Sequence, residues 1–336
     1  MLTLSIIIAG CAFAAFMYFN SPPSDSSRQT DEDIILANDG SYIFEVRRGE
    51  SAQSVGRRLE RAGLIKNRYF WNLLCRYQGE FLKVGTYRIE VPKSQLEIYR
   101  LLVSGRQILH RVTIPEGVTL TRAARILEDA GICSAADFLT AARDPFIISG
   151  YRIPNNSMEG YLFPDTYMFP ANFPAVMVIR TMADNFFSKI PELHNTGSLS
   201  PEELNRIVIL ASIVEREYRL PEEAPVMAGV FYNRLRIGMA LQSCATVEYV
   251  ITEILGRPHP SVLLYADLEI RNPYNTYQVR GLPPGPISAP GIIALRAAFN
   301  PAPTDYLFFR LIDPVTGRHH FSRTLDEHNR AGQRAR

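Results

Sequence analysis

The stretch Ser200 to Tyr218, SPEELNRIVILASIVEREY, decides how the chain is read. Ser200, Pro201 and Glu203 have the spacing of an N-cap, a first-turn proline and a capping-box acid, so a helix starts here. Leu204, Val208, Ala211 and Glu215 follow at intervals of four, three and four, which puts them on one face. Apolar residues bury that face and Glu215 continues it. Lost hydration and the negative end of the helix dipole, close because Pro221 stops the helix, predict a raised pKa for Glu215. A carboxyl group still protonated near neutrality suits a general acid. A surface cap, or an ion pair with Arg216 or Arg219, is the structural alternative for the same residue. Glu217 points to another side of the helix and ranks second.

At 336 residues, 46% hydrophobic and 10% aromatic, the chain has room and composition for two or three compact units. Its net charge of +2 argues against a dedicated nucleic-acid binder. The charge is unevenly spread: Ser41 to Arg111 holds 14 Lys and Arg against 6 Asp and Glu. Such a surface is either a solvated Arg-rich face or one that rests on anionic lipid or acidic polymer. Cys11, Cys75, Cys133 and Cys244 are far apart in sequence and read as buried thiols, not metal ligands. The adjacent His319 and His320 lack HExxH-type spacing, so no metal is expected.

Leu2 to Phe19 is an uncharged, mostly apolar run of eighteen residues, about the length that spans a bilayer core. It predicts an N-terminal transmembrane helix over residues 1–20, with the rest of the chain outside the cytoplasm. Ile8-Ala9-Gly10-Cys11 also has the form of a lipoprotein cleavage site, which would lipidate Cys11. The apolar run continues well past that cysteine, which favours the uncleaved helix. Residues 21–40, rich in Ser, Pro and Asp, read as a linker, with folded sequence from about Tyr42.

An internal repeat then sets the architecture of the first folded half. Gly49 to Leu64, GESAQSVGRRLERAGL, aligns without gaps with Gly117 to Ile132, GVTLTRAARILEDAGI. Each copy follows a strand-like run and ends its helix at a glycine, Gly63 or Gly131, placed for a C′ cap. These strand-turn-helix units, residues 41–150, resemble LysM-type peptidoglycan-binding modules, which implies a grip on glycan; a packing or spacer role is the alternative. Asn156 to Pro170 is dense in aromatics and prolines and holds Glu159 and Asp165. Rings of this kind stack on sugars or fill a core. The loop sequences NPYNTY (272–277) and GLPPGPI (281–287) are too rigid for linkers and point to a cleft near the acid.

Several long motifs occur in one order: EGYLFPDTY at 159–167, LASIVEREY at 210–218, VFYNRLRIGMALQS at 230–243, NPYNTY, GLPPGPI and HFSRTLDEHN at 320–329. Together they resemble the membrane-anchored endolytic murein transglycosylases, the YceG-like family. The resemblance implies an α+β fold, with LysM-like modules before a mixed catalytic domain over residues 151–336. It implies a lyase that cuts the MurNAc–GlcNAc β-1,4 bond of peptidoglycan strands, with Glu215 as the catalytic residue. Gln242, Tyr274, Asn275, Glu159 and Tyr277 would bind substrate. No cofactor would be needed. The expected location is the bacterial cytoplasmic membrane, with the catalytic part on the outer side and membrane peptidoglycan synthases as partners. Where the family commonly has Asp-Pro after Leu-Gln and one further residue, this chain has Cys244-Ala245, and no catalytic role follows for that position. A hydrolase using Glu159 or Asp165 as a second carboxylate and a non-catalytic, membrane-tethered glycan-binding scaffold are the competing functions.

Overall fold

The two repeat copies fall in different compact units of the computed structural model, which describes residues 2–23, 34–36, 40–47, 49–193 and 199–334. One unit comprises Met1–His110 with Met168–Phe173, the other Arg111–Tyr167 with Pro174–Arg336. The fold is α+β, with small antiparallel sheets and many helices.

The first unit runs α1 (Leu2–Asn20), β1 (Ile34–Leu36), β2 (Tyr42–Val46), α2 (Ala52–Arg61), α3 (Arg68–Gln78), β3 (Gly85–Ile89) and α4 (Gln95–Ser104). Its antiparallel sheet has the order β1-β2-β3, with Ile34 opposite Phe44 and Tyr42 opposite Ile89. Strand alternation turns Tyr42, Phe44 and Val46 to one face. There they meet Leu59 of α2, Trp71 of α3 and Leu102 of α4 in one core. Ser51 caps α2 by accepting from the Ser54 N–H, and Gly63 follows its end at φ 66°, a left-handed conformation that glycine adopts without strain.

Three expectations are revised here. Ile34–Leu36 is a strand, not linker, because an apolar triplet can extend the β2 edge and bury Ile34; residues 24–33 and 37–39 of the expected linker lie outside the described residues. Leu2–Asn20 is helical as expected, but among the described residues no helix is long and apolar enough to cross a membrane. The last turns of α1 lie on folded protein: Asn20 Oδ1 accepts from Leu96 N–H, Phe19 O accepts from Gln95, and Phe16 and Phe19 both meet the Phe70 ring. LysM-like modules are not shown beyond the repeated strand-turn-helix itself.

Strands β4 (Leu109–Thr113) and β5 (Thr166–Pro170) form a two-stranded sheet. The second unit continues with α5 (Leu120–Asp129), α6 (Ala135–Ala141), α7 (Pro145–Gly150), α8 (Ala175–Leu193), α9 (Pro201–Glu217), α10 (Ala224–Arg236), α11 (Cys244–Tyr249), α12 (Tyr265–Leu268) and α13 (Ile292–Phe299). A hairpin of β6 (Phe308–Asp313) and β7 (Arg318–Ser322) and then α14 (Leu325–Arg334) complete it. Helix α9 is its centre. Every residue from Val208 to Val214 is buried, so the helix is covered on all sides, with α10 and α13 packed against it. The predicted capping box is present: Ser200 Oγ accepts from Glu203 N–H, and Glu203 accepts from Ser200 N–H at 2.9 Å.

Candidate active site

Helix α9 ends by directing two carboxyl groups to different surroundings. Glu215 meets the loop that opens α13. Gly291 N–H donates to its Oε2 at 2.8 Å and the Tyr218 hydroxyl lies 3.4 Å from its Oε1. Burial, reinforced by the Glu116 carboxylate, raises the Glu215 pKa to about 7; the Gly291 and Tyr218 bonds oppose the shift. The loop is fixed one turn back along α9. Ile287 N–H donates to Ser212 Oγ, Ser288 Oγ donates to Ser212 O, Gly117 N–H donates to Ala289 O, and Ala289 N–H donates to Val118 O. The turn of the second repeat copy is therefore part of this site, and Glu116, next to its Gly117, is a residue sequence reasoning passed over.

Glu217 is the second carboxyl group, and it meets the other motif loops. Ser243 Oγ donates to its Oε1 at 2.5 Å. Burial raises its pKa to about 7 as well, with the Glu248 charge adding to the shift and the Ser243 bond, Arg216 and Arg234 opposing it. Ser243 belongs to a laced pair of segments: Gln242 N–H donates to Thr276 O, and Ser243 N–H to Thr276 Oγ1. Cys244 Sγ lies 3.2 Å from the Tyr277 hydroxyl. Buried Arg234 donates to the carbonyls of Leu241 and Leu307, which fixes the backbone just before Gln242. Gln242 has φ 50°, a strained value for a side chain of its type, and is exposed. Glu217 Oε2 has no hydrogen-bond partner among the described residues. Ser243 and Arg234 were legible only as parts of the LQS and YNRLR motifs.

The remaining predicted residues separate into two groups. Tyr277 lies within electrostatic reach of Glu217, and Gln242 adjoins Ser243, which bonds that carboxyl. Glu159 is in the other group: it is 5% exposed, accepts from Leu120 N–H with both oxygens at 3.2 Å, and so caps α5. Burial raises its pKa to about 8, and the Leu120 bond opposes this. Asn275 is also buried; its amide donates to Leu268 O and Ile270 O and its oxygen accepts from Tyr277 N–H, which shapes the loop that presents Tyr277. Tyr274 packs on the Tyr249 ring at 5.0 Å. The aromatics Tyr161, Phe163 and Tyr167 of the Glu159 motif are core residues. Of the cysteines, Cys11 and Cys244 are exposed rather than buried, and all four are free.

Comparison with known proteins supplies the family. The model of the YceG-like family matches residues 44–334. A Bacillus subtilis protein named endolytic murein transglycosylase is 30% identical over 305 residues, 85% of this chain and 82% of its own. A Streptococcus pneumoniae protein of the same name is 27% identical over 88% of this chain, which spans only 59% of that relative. A YceG-like protein of known crystal structure from Listeria monocytogenes superposes with a TM-score of 0.59 at 30% identity, over 86% of this chain and 98% of its own. A match over most of the length, joined to the same motifs gathered at the end of one buried helix, places this chain in the YceG-like family.

Proposed function

We propose that the chain is an endolytic lytic transglycosylase of peptidoglycan, and that Glu217 is its proton donor. The single observation that carries the assignment is the position of the Glu217 carboxyl. Burial raises its pKa to about 7, one oxygen accepts from Ser243, the other has no hydrogen-bond partner among the described residues, and half-buried Tyr277 and exposed Gln242, the neighbour of Ser243, belong to the segments around it. The names of the relatives supply the substrate class. In this reading Glu217 gives its proton to the glycosidic oxygen as the MurNAc C1–O bond breaks through an oxocarbenium-like state. The carboxylate then takes the proton of the MurNAc C6 hydroxyl as that oxygen bonds to C1, leaving a 1,6-anhydro end without consuming water. One carboxyl group suffices because the sugar supplies the nucleophile, whereas an ordinary glycosidase needs a second acid at a set distance. Gln242 and Tyr277 would line the sugar subsites. Glu159, Asn275 and Tyr274 would support the loops.

Glu215 is the second reading for the acid, favoured by its own pKa near 7. It is less suited because both of its oxygens already meet protein donors, Gly291 N–H and the Tyr218 hydroxyl. Mass spectrometry of fragments released from uncrosslinked peptidoglycan separates the two. Glu217→Gln should release no anhydro-MurNAc ends, and Glu215→Gln should retain them at a reduced rate. The opposite pattern would transfer the role to Glu215, and reducing ends would indicate a hydrolase. Tethering to the cytoplasmic membrane, with the catalytic unit outside and synthases nearby, is part of the same proposal and rests on the apolar Leu2–Phe19 sequence.

A further inference from the structure

Helix α3 is apolar on both faces. Trp71 and Leu74 are buried in the core of the first unit, as an amphipathic helix requires. The opposite face should be polar, yet Tyr69, Leu73 and Tyr77, spaced four apart in one stripe, are 69%, 62% and 86% exposed. Phe81, just past the helix, is exposed as well. The stripe continues into α1: a groove of about 550 Å³ lies between them, lined by Phe16, Phe19, Asn67, Tyr69, Phe70 and Leu73. Beyond it Phe13 and Met17 of α1 face outward. Isolated exposed apolar side chains are ordinary, but a patch running over two helices marks a surface that something covers.

The charges around the patch identify what covers it. α3 carries no acid; its charged residues are Arg68 and Arg76. Arg76 is exposed; the Arg68 guanidinium lies 5.1 Å from the Tyr69 ring centre and 3.7 Å from the Glu60 carboxylate; the Lys66 ammonium lies 4.7 Å from the Tyr18 ring and donates to Tyr18 O and Ser21 Oγ; and the acid Glu80 is exposed just past the helix, so cations outnumber acids three to two. Aromatic rings and long cationic side chains around an apolar strip are the composition of a surface seated at the headgroup level of an anionic bilayer. The continuity of the patch with the apolar α1 sequence favours lipid over a protein partner. We propose that the α1–α3 face of the first unit is a lipid-contact surface, with Tyr69, Leu73 and Tyr77 at the acyl boundary and Lys66, Arg68 and Arg76 on lipid phosphates. This goes beyond a tether at α1: it lays the folded unit itself against the bilayer. It does not depend on which glutamate donates the proton.

The test uses the full chain with vesicles of phosphatidylcholine containing roughly a third phosphatidylglycerol, since surface cations favour anionic leaflets. Leu73→Trp and Tyr77→Trp add reporters at exposed positions, and buried Trp71 serves as the internal reference for folding. Lipids brominated in the upper acyl chain should quench both reporters about threefold more than a Glu90→Trp control at an exposed position just past β3, with blue-shifted emission, as expected at the interface. The double variant Leu73→Ser, Tyr77→Ser should bring Lys66 and its neighbours no closer to lipid and weaken vesicle association. Reporters quenched no more than the control, or a chain that does not associate with these vesicles, would overturn the proposal. Neither outcome touches cleavage, which is read separately by product mass.

Discussion

Glu159, Glu215 and Glu217 are three carboxyl groups of one unit whose pKa values burial raises from the ordinary range to about 8, 7 and 7. A carboxyl with a raised folded pKa favours folding while both states are protonated, and that contribution is lost as pH climbs from the unfolded value through the folded one. Stability of the second unit should therefore decline between about pH 4.5 and pH 8. Glu159→Gln keeps an oxygen for the Leu120 N–H and removes the charge. It should flatten this decline by on the order of a few kcal/mol, measurable as slower hydrogen exchange of the α5 amides at alkaline pH. Catalysis has the same sign: the donor must start protonated, so kcat/KM should fall as pH rises through about 7, and a rate that instead rises there would remove Glu217 from the role. Cys244 offers a probe of the same place. Burial raises its thiol pKa, yet the residue is exposed beside Tyr277. A maleimide at mildly alkaline pH should inactivate the wild type and leave Cys244→Ser active.

Among the elements, α9 depends on its first turn and on what covers its last. Loss of the Ser200 cap in Ser200→Ala should cost about 1 kcal/mol in denaturant titration, because the Glu203 N–H then has no side-chain acceptor. Gly160 shows how the motifs hold one another. It has φ +81°, and an added Cβ would lie 2.4 Å from Pro286 Cβ and 3.2 Å from Val208 Cγ1. Gly160→Ala should push the 281–287 loop away from α9, lowering activity about tenfold or more with a smaller loss of stability. Comparing activity with far-UV circular dichroism on the same sample checks this. The aromatic segment beside Gly160 was open to two readings in the sequence, sugar platform or core; burial of Tyr161 and Phe163 decides for core.

At the scale of the whole molecule, the repeat divides between two units and so serves two ends. The first copy builds the core around Trp71, and the second brings Glu116 and Gly117 to the end of α9. Trp71 is the single tryptophan and fully buried, so its fluorescence reports the first unit. Glu159→Gln, placed in the second unit, should leave the pH dependence of that fluorescence transition unchanged. Trp71→Ala should lower the stability of the first unit by about 3–5 kcal/mol through the cavity left behind, read by circular dichroism because the variant lacks the fluorescent reporter.

The sequence by itself determined the elements whose signals are local. The capping box of α9, the strand-turn-helix repeat with Gly63 and Gly131 at positive φ, and the buried acid at the helix end all follow from spacing over a few residues. Tertiary structure decided the rest, because it depends on which distant segments meet. Two acids separated by one residue leave a helix about 200° apart, and only the loops packed on each side show that one ends on Gly291 and the other on Ser243. Glu159 and Asn275 carry the residue types of a sugar site, but their partners, backbone groups and for Glu159 also Tyr249, belong to their own fold. The exposed stripe of α3 has the same cause: the helix is apolar on both faces, and only the packing shows which of them the core leaves uncovered.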